Sequence, residues 1–232
     1  MSPSVSAGSW LSDQRSRLQI VNAVSDLDAV TVEIDDEASV TLNYQEGSEL
    51  LEVVPKNVGF PDSRRFSAVD PDSGDQLFSK LNSISAGDRE VYVLMGSEAQ
   101  DDFDLEEATL SPPEEVGTGE VAVFAAHAYH GFEERVTFTM PVGEHVSFTE
   151  DEIFYFDTNY ETAIGAVEVD PNADSAGFAS DSDALNDPLV KKTLTDLGVQ
   201  TGGVYTFVMS GVYDGSQSEP DMFAVEGPWF KQ

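Results

Sequence analysis

Three histidines and forty-four acidic side chains are the groups in this chain that could carry chemistry. His127 and His130 stand in the H-x-x-H spacing that can hold a metal ion when a carboxylate such as Glu133 or Glu134 joins them. The third, His145, lies further along the chain. The stretch around the pair reads as a strand, however, and strand positions three apart point to opposite faces. The pair is therefore expected to be separated unless a turn begins at Tyr129. DPNADSAGFASD has the look of a calcium loop, with Asp170, Asn172 and Asp174 at its first, third and fifth positions and Asp181 at its twelfth. Ser175 stands where such a loop needs glycine, and an aspartate replaces the bidentate glutamate. A Ca2+ site here competes with a plain Asp-Pro turn, as does the similar DPDSGD at 70–75. Paired carboxylates could serve glycoside hydrolysis, but so many acids make no pair distinctive. The chain contains no G-x-S-x-G elbow, phosphate-cradling glycine loop or kinase motif set. It also has no cysteine, which removes disulfides, thiolate metal sites and a thiol nucleophile. The expectation is a protein that is not an enzyme.

The acids mean more as a population. Eleven basic residues oppose them, for a formal charge of −33. Disorder is a poor explanation, because 40% of the residues are apolar and many of them alternate cleanly. A carboxylate surface that stays soluble in molar salt, where the Debye length falls to about 3 Å, explains it better. That points to a halophilic source. The basic residues come in pairs, Arg15/Arg17, Arg64/Arg65 and Lys191/Lys192, too sparse for a phosphate backbone, so no nucleic-acid partner is expected. No run approaches the roughly 18 apolar residues of a spanning helix, so no membrane insertion is expected. The opening MSPSVSAGSWLSDQ lacks the charged-then-apolar pattern of a signal peptide. The expectation is either an exported protein whose signal has been removed or one that assembles from inside the cell.

The elements that must position these groups are short strands. Val30, Val32 and Ile34 alternate with Thr31, Glu33 and Asp35 between two turn-rich stretches; Leu18 and Ile20 lie on an earlier strand, and Val91 to Met95 form the most apolar strand of the first half. In the second half, GEVAVFAAHAY, the alternating Val136, Phe138 and Met140, and Val167 with Val169 read the same way. Two short helices are expected. One is DPLVKKTLTDLG, with Asp187 as N-cap, Pro188 at the first turn and Gly198 at the C-terminal stop; the other lies around Gln76 to Leu81. SPPEEVGTG at 111–119 reads as a linker. The predicted order is a 1–14 extension, a β-sandwich over 15–110, the linker, and a divergent β-sandwich over 120–232 with a long 151–200 insertion. GDREVYVLMGS at 87–97 and GGVYTFVMSG at 202–211 share a glycine turn, Val-Tyr and apolar alternation, which suggests a tandem repeat.

The block RLQIVNAVSDLDAVTVEIDD resembles the opening of a widespread bacterial and archaeal domain of unknown function with an immunoglobulin-like sandwich. The matching residues are Arg17, Val21, Asn22, Ala23, Asp26, Val30, Val32 and Asp35, with Gly87, Tyr92 and Gly96 matching its closing strand. The resemblance covers about residues 15–105 and is fainter in the second half. It implies a scaffold or binding module of secreted or envelope-attached proteins, without catalytic residues.

The aromatic residues near the termini, Trp10, Trp229 and Phe230, are expected either to pack on the parent domain or to insert into a neighbouring subunit. Together these readings describe an all-β, non-enzymatic structural or interaction protein of a halophilic assembly, with itself or other assembly components as partners. It would stand at the cell surface or in a haloarchaeal virion. A cation-dependent carbohydrate- or protein-binding module is the alternative.

Overall fold

The computed structural model describes residues 15–54, 61–109, 116–132, 134–140, 148–153, 157–159, 166–180, 188–213, 219–227 and 229. These residues form an all-β fold of stacked sandwiches. The first eight strands are β1 (Ser16–Asn22), β2 (Ala29–Ile34), β3 (Ala38–Asn43), β4 (Leu51–Val53), β5 (Asp62–Val69), β6 (Gln76–Ile84), β7 (Arg89–Ser97) and β8 (Asp102–Thr109). The rest are β9 (Glu120–His130), β10 (Val136–Met140), β11 (Phe148–Ile153), β12 (Asp157–Asn159), β13 (Val167–Glu168), β14 (Ser175–Ala179), β15 (Val190–Thr193), β16 (Val204–Val212) and β17 (Asp221–Glu226).

Four sheets result. Sheet I is ordered β3-β2-β5-β6 and sheet II β4-β1-β7-β8; sheet III is β12-β9-β16-β17, with β13 also on β9, and sheet IV is β11-β10-β14-β15. The orders correspond strand for strand, β13 being the additional one. In each half the first strand lies parallel to the seventh equivalent, β1 beside β7 and β9 beside β16, while the other pairings are antiparallel. Because β1 sits between β4 and β7, the order differs from the ABED–CFG order of an immunoglobulin constant domain.

Alternation decides which residues enter which layer. Leu18, Ile20, Tyr92, Leu94 and Leu105 of sheet II meet Val30, Val32, Ile34 and Phe66 of sheet I, and Phe66 stacks on Tyr92 with ring centroids 4.6 Å apart. The opposite face of sheet II, through Val21, Val91, Val93 and Met95, joins the core of sheet III. Beyond it Phe207 and Phe138 link sheets III and IV at 5.2 Å. The layers therefore run I-II-III-IV, and the two inner sheets are covered on both faces. This is why β7 and β9 are buried along nearly their whole length.

Neither expected α-helix forms. Gln76 to Leu81 belongs to β6, paired with β5 from Asp62↔Ile84 onward. Of DPLVKKTLTDLG, Val190–Thr193 is an edge strand on β14, with Phe178↔Val190 and Ser175↔Thr193 in register. A sheet edge needing a partner and a fully buried Leu194 outweigh a local helix preference worth only tenths of a kcal/mol per residue. The stop signal operates on a single turn instead: Leu197 N–H donates to Thr193 O at 3.2 Å and the chain reverses at Gly198. Among the described residues the one helical segment is a 3-10 turn at Glu98–Gln100. Asp187 and most of the expected linker lie outside the described residues.

Candidate functional site

Strand alternation splits the basic pair Arg64/Arg65 between the two faces of sheet I. Arg64 has the parity of Phe66 and Ala68, so its guanidinium enters the sandwich end, where the side chain is 0% exposed. Its Nη1 meets Glu37 Oε1 at 2.8 Å and Asp35 Oδ2 at 3.2 Å, its Nε meets Asp62 Oδ2 at 3.0 Å, and its Nη2 donates to Val54 O at 2.6 Å. Burial works against this charge, but the carboxylates of Glu37, Asp35 and Asp62 more than offset it and raise the arginine's pKa. Removing Arg64 would leave three acids facing one another, and because Glu37 and Asp35 are 39% and 29% exposed, solvent would screen part of their repulsion.

Glu90 is a second polar group at a core position, 1% exposed on the parity of Tyr92 and Leu94. Tyr92 O–H donates to its Oε2 at 3.0 Å, and Glu107 flanks the same hydroxyl. Loss of water, then the neighbouring charges of Glu107 and Asp88, push Glu90 up from 4.5 to about 8. It is a neutral acid at pH 7, able to hold a proton. On the opposite side of β8, Lys80 Nζ reaches Asp104 Oδ1 at 2.8 Å and Glu106 Oε1 at 3.4 Å, tying the edge of sheet I to that of sheet II.

The histidine pair does not converge. β9 continues to His130 before turning at Gly131, so His127 faces sheet IV while His130 faces sheet II. His127 Nε2 lies 3.2 Å from the Glu134 carbonyl, and Nδ1 accepts the Tyr129 N–H at 3.3 Å. A carbonyl only accepts, so the proton is on Nε2 and the ring is neutral. Burial lowers its pKa from 6.5 to about 4. His130 Nε2 meets Gln100 Oε1 across the two halves at 3.0 Å. His145 and Glu133 lie outside the described residues.

The expected calcium loop is a turn between β13 and β14. It brings Asp170, Asn172 and Asp174 together, while Asp181 lies outside the described residues. Its carboxylates already accept backbone donors: Asp170 Oδ1 takes Asn172 N–H at 3.0 Å and Asp174 Oδ2 takes Asp170 N–H at 2.7 Å. DPDSGD repeats the arrangement, with Asp72 N–H on Asp70 Oδ1 at 2.9 Å. Among the described residues no three His, Asp or Glu side chains gather as a metal ion requires. Two open concavities lie away from Glu90 and His127: one of about 380 Å3 at the β2–β3 turn, lined by Glu33, Asp35, Asp36, Glu37 and Ser39, and one of about 450 Å3 beside Asn172, Thr195 and Gln200.

Of the terminal aromatics, Trp229 is 7% exposed in the core of the inner and outer sheets, so its ring packs on its own chain. Trp10 and Phe230 lie outside the described residues.

The surface with the most distinctive chemistry is the outward face of sheet I. Its parity presents Thr31, Ser39, Thr41, Ser63, Ser67 and Ser79, with one carboxylate, Glu33, and one cation, Arg65. Thr31 and Thr41 hydroxyls bridge at 2.8 Å, and Arg65 Nη1 lies 3.4 Å from Ser79 Oγ, turned toward β6 and away from Glu33. Leu81 stands 62% exposed on the same face. The alternation legible in β2, carried on to β5 and β6, places Arg64 inside and the serines outside.

No family model matches the chain, and no curated protein matches it.

Proposed function

We propose that this is a non-enzymatic structural protein, a building block of a halophilic surface or particle assembly, with other copies or other assembly components as its partners. A place at the cell surface or in the virion of a halophile's virus suits this role, since both are ordered protein arrays bathed in salt. The observation that carries the reading is the contrast between interior and surface. The polar groups at core positions, Arg64, Glu90 and His127, are engaged with neighbours inside the fold. One of the two outer sheets, sheet I, presents a face that carries across its strands a single carboxylate, Glu33, and a single cation, Arg65, between acidic turns. A stack of sheets with such a face is suited to contact, and molar salt screens the remaining repulsion between copies.

The test is absolute mass by light scattering after size exclusion, in ~3 M and ~0.2 M KCl, across a wide range of protein concentration. Discrete oligomers or ordered arrays in high salt are expected. A folded particle of 25.1 kDa under every condition would overturn the reading.

A further inference from the structure

We propose that the outward face of sheet I is a self-association surface whose occupant is the same face of a second copy of this chain. The inference rests on the assembly reading above and names its contact. Charge is the first argument. In a chain of formal charge −33, most approaches between two copies bring carboxylates together. Across its strands this face carries Glu33 and Arg65, one charge of each sign, among short hydroxyl side chains; Asp35, whose Oδ1 accepts the Arg65 N–H at 3.1 Å, borders the pair at the strand end, and Glu33 shares a concavity with Asp35, Asp36 and Glu37. The two charges lie on neighbouring strands and are offset along them: Glu33 is opposite Ser67, two residues from Arg65. Arg65 is turned toward Ser79. Under two-fold symmetry a facing copy can set its Arg65 over Glu33 and its Glu33 over Arg65, a reciprocal pair that a self-complementary interface requires.

Shape and size supply the second argument. Serine and threonine let two backbones approach closely, and Leu81, the most exposed large apolar side chain on the described surface, would be covered. The fold already stacks sheet on sheet without a connecting strand where sheet II meets sheet III. Four strands at ~4.8 Å spacing and ~20–25 Å length give about 400–500 Å2 per copy. That is below the ~800 Å2 per partner of a free-standing complex. One such contact is weak alone and suits an array in which several contacts act together. Asp35, Asp36 and Glu37 at one end of the strands and Asp70, Asp72 and Asp75 at the other form acidic rims. Association through this face therefore strengthens as salt screens those rims.

Charge exchange tests the inference. Self-association of wild type, Arg65→Glu, Glu33→Arg and the double variant is measured by sedimentation equilibrium in high salt, with Lys191→Glu, exposed on β15, as a control for net charge. Melting temperatures verify folding. Arg65→Glu and Glu33→Arg are each expected to weaken association about tenfold or more. The double variant restores it and Lys191→Glu leaves it unchanged. Glu33→Arg is the decisive member, because it reduces net charge: a general electrostatic effect would strengthen association, whereas loss of the reciprocal pair weakens it. Oligomers that persist in both single variants, or a Glu33→Arg that associates more tightly, overturn the assignment of this face and leave the assembly reading standing. A wild type that stays monomeric throughout overturns both.

Discussion

Glu90 and His127 are both sealed between sheets, and their titrations pull stability in opposite directions. Glu90 is raised to about 8, so its contribution is full below its unfolded value near 4.5 and is lost as pH rises through 8. His127 is lowered to about 4, so its contribution is full above 6.5 and is lost as pH falls through 4. Each slope is limited to about 1.4 kcal/mol per pH unit. Glu90→Gln keeps an acceptor for Tyr92 O–H and removes one slope. Urea denaturation at ~pH 5 and ~pH 8 is expected to show the variant gaining on wild type as pH rises; parallel pH profiles would contradict the buried neutral acid. The Asp170 turn makes a separate prediction. Since Asp174 Oδ2 accepts the Asp170 N–H, Asp174→Ala is expected to lower stability by about 1 kcal/mol. Ca2+ or a chelator should leave the wild-type melting temperature unmoved, and a Ca2+-dependent rise would favour the cation-site reading.

Among the elements, β15 shows how far sheet context outweighs local signals. Its residues alternate in burial along the edge of sheet IV, and Leu194 just beyond is fully buried. Leu194→Ala is expected to cost about 2–5 kcal/mol by thermal or chemical denaturation. A peptide of residues 187–198 taken out of the protein should gain helical circular dichroism in trifluoroethanol. In the intact protein, the amides that pair with β14 should exchange slowly. A Leu194→Ala variant as stable as wild type would contradict the packing of this edge.

For the whole molecule, the join between halves is the mechanical centre. Tyr44 O–H and Ser210 Oγ lie 2.7 Å apart, Gln19 Nε2 donates to Glu226 O at 3.0 Å, and Gln45 Nε2 donates to Asp221 Oδ2 at 2.6 Å. Gly47 allows the approach: a Cβ there would lie 2.2 Å from Val225 Cγ1. Gly47→Val is therefore expected to wedge sheets II and III apart and cost more than 2 kcal/mol, on the order of an overpacked core site. Two separate unfolding transitions in the variant would show that the halves hold together through this contact. An unchanged single transition would contradict it.

Alternation in sequence was enough to read an all-β chain, to place β1, β2, β7, β9, β10, β13 and β16, and to predict that His127 and His130 face apart. Each is a local consequence of the two-residue period of a strand. The same period, carried on to β5 and β7, puts Arg64 and Glu90 on core faces, yet a charged side chain at such a position becomes recognisable only when its partners are seen, and those come from the β2–β3 turn, the residue after β4, the start of β5, and β7 and β8. Pairing β1 parallel to β7, burying sheets II and III on both faces, and converting a capped helical segment into β15 depend on residues far apart in the chain. Those contacts outweigh preferences of tenths of a kcal/mol per residue, so tertiary structure alone decided them.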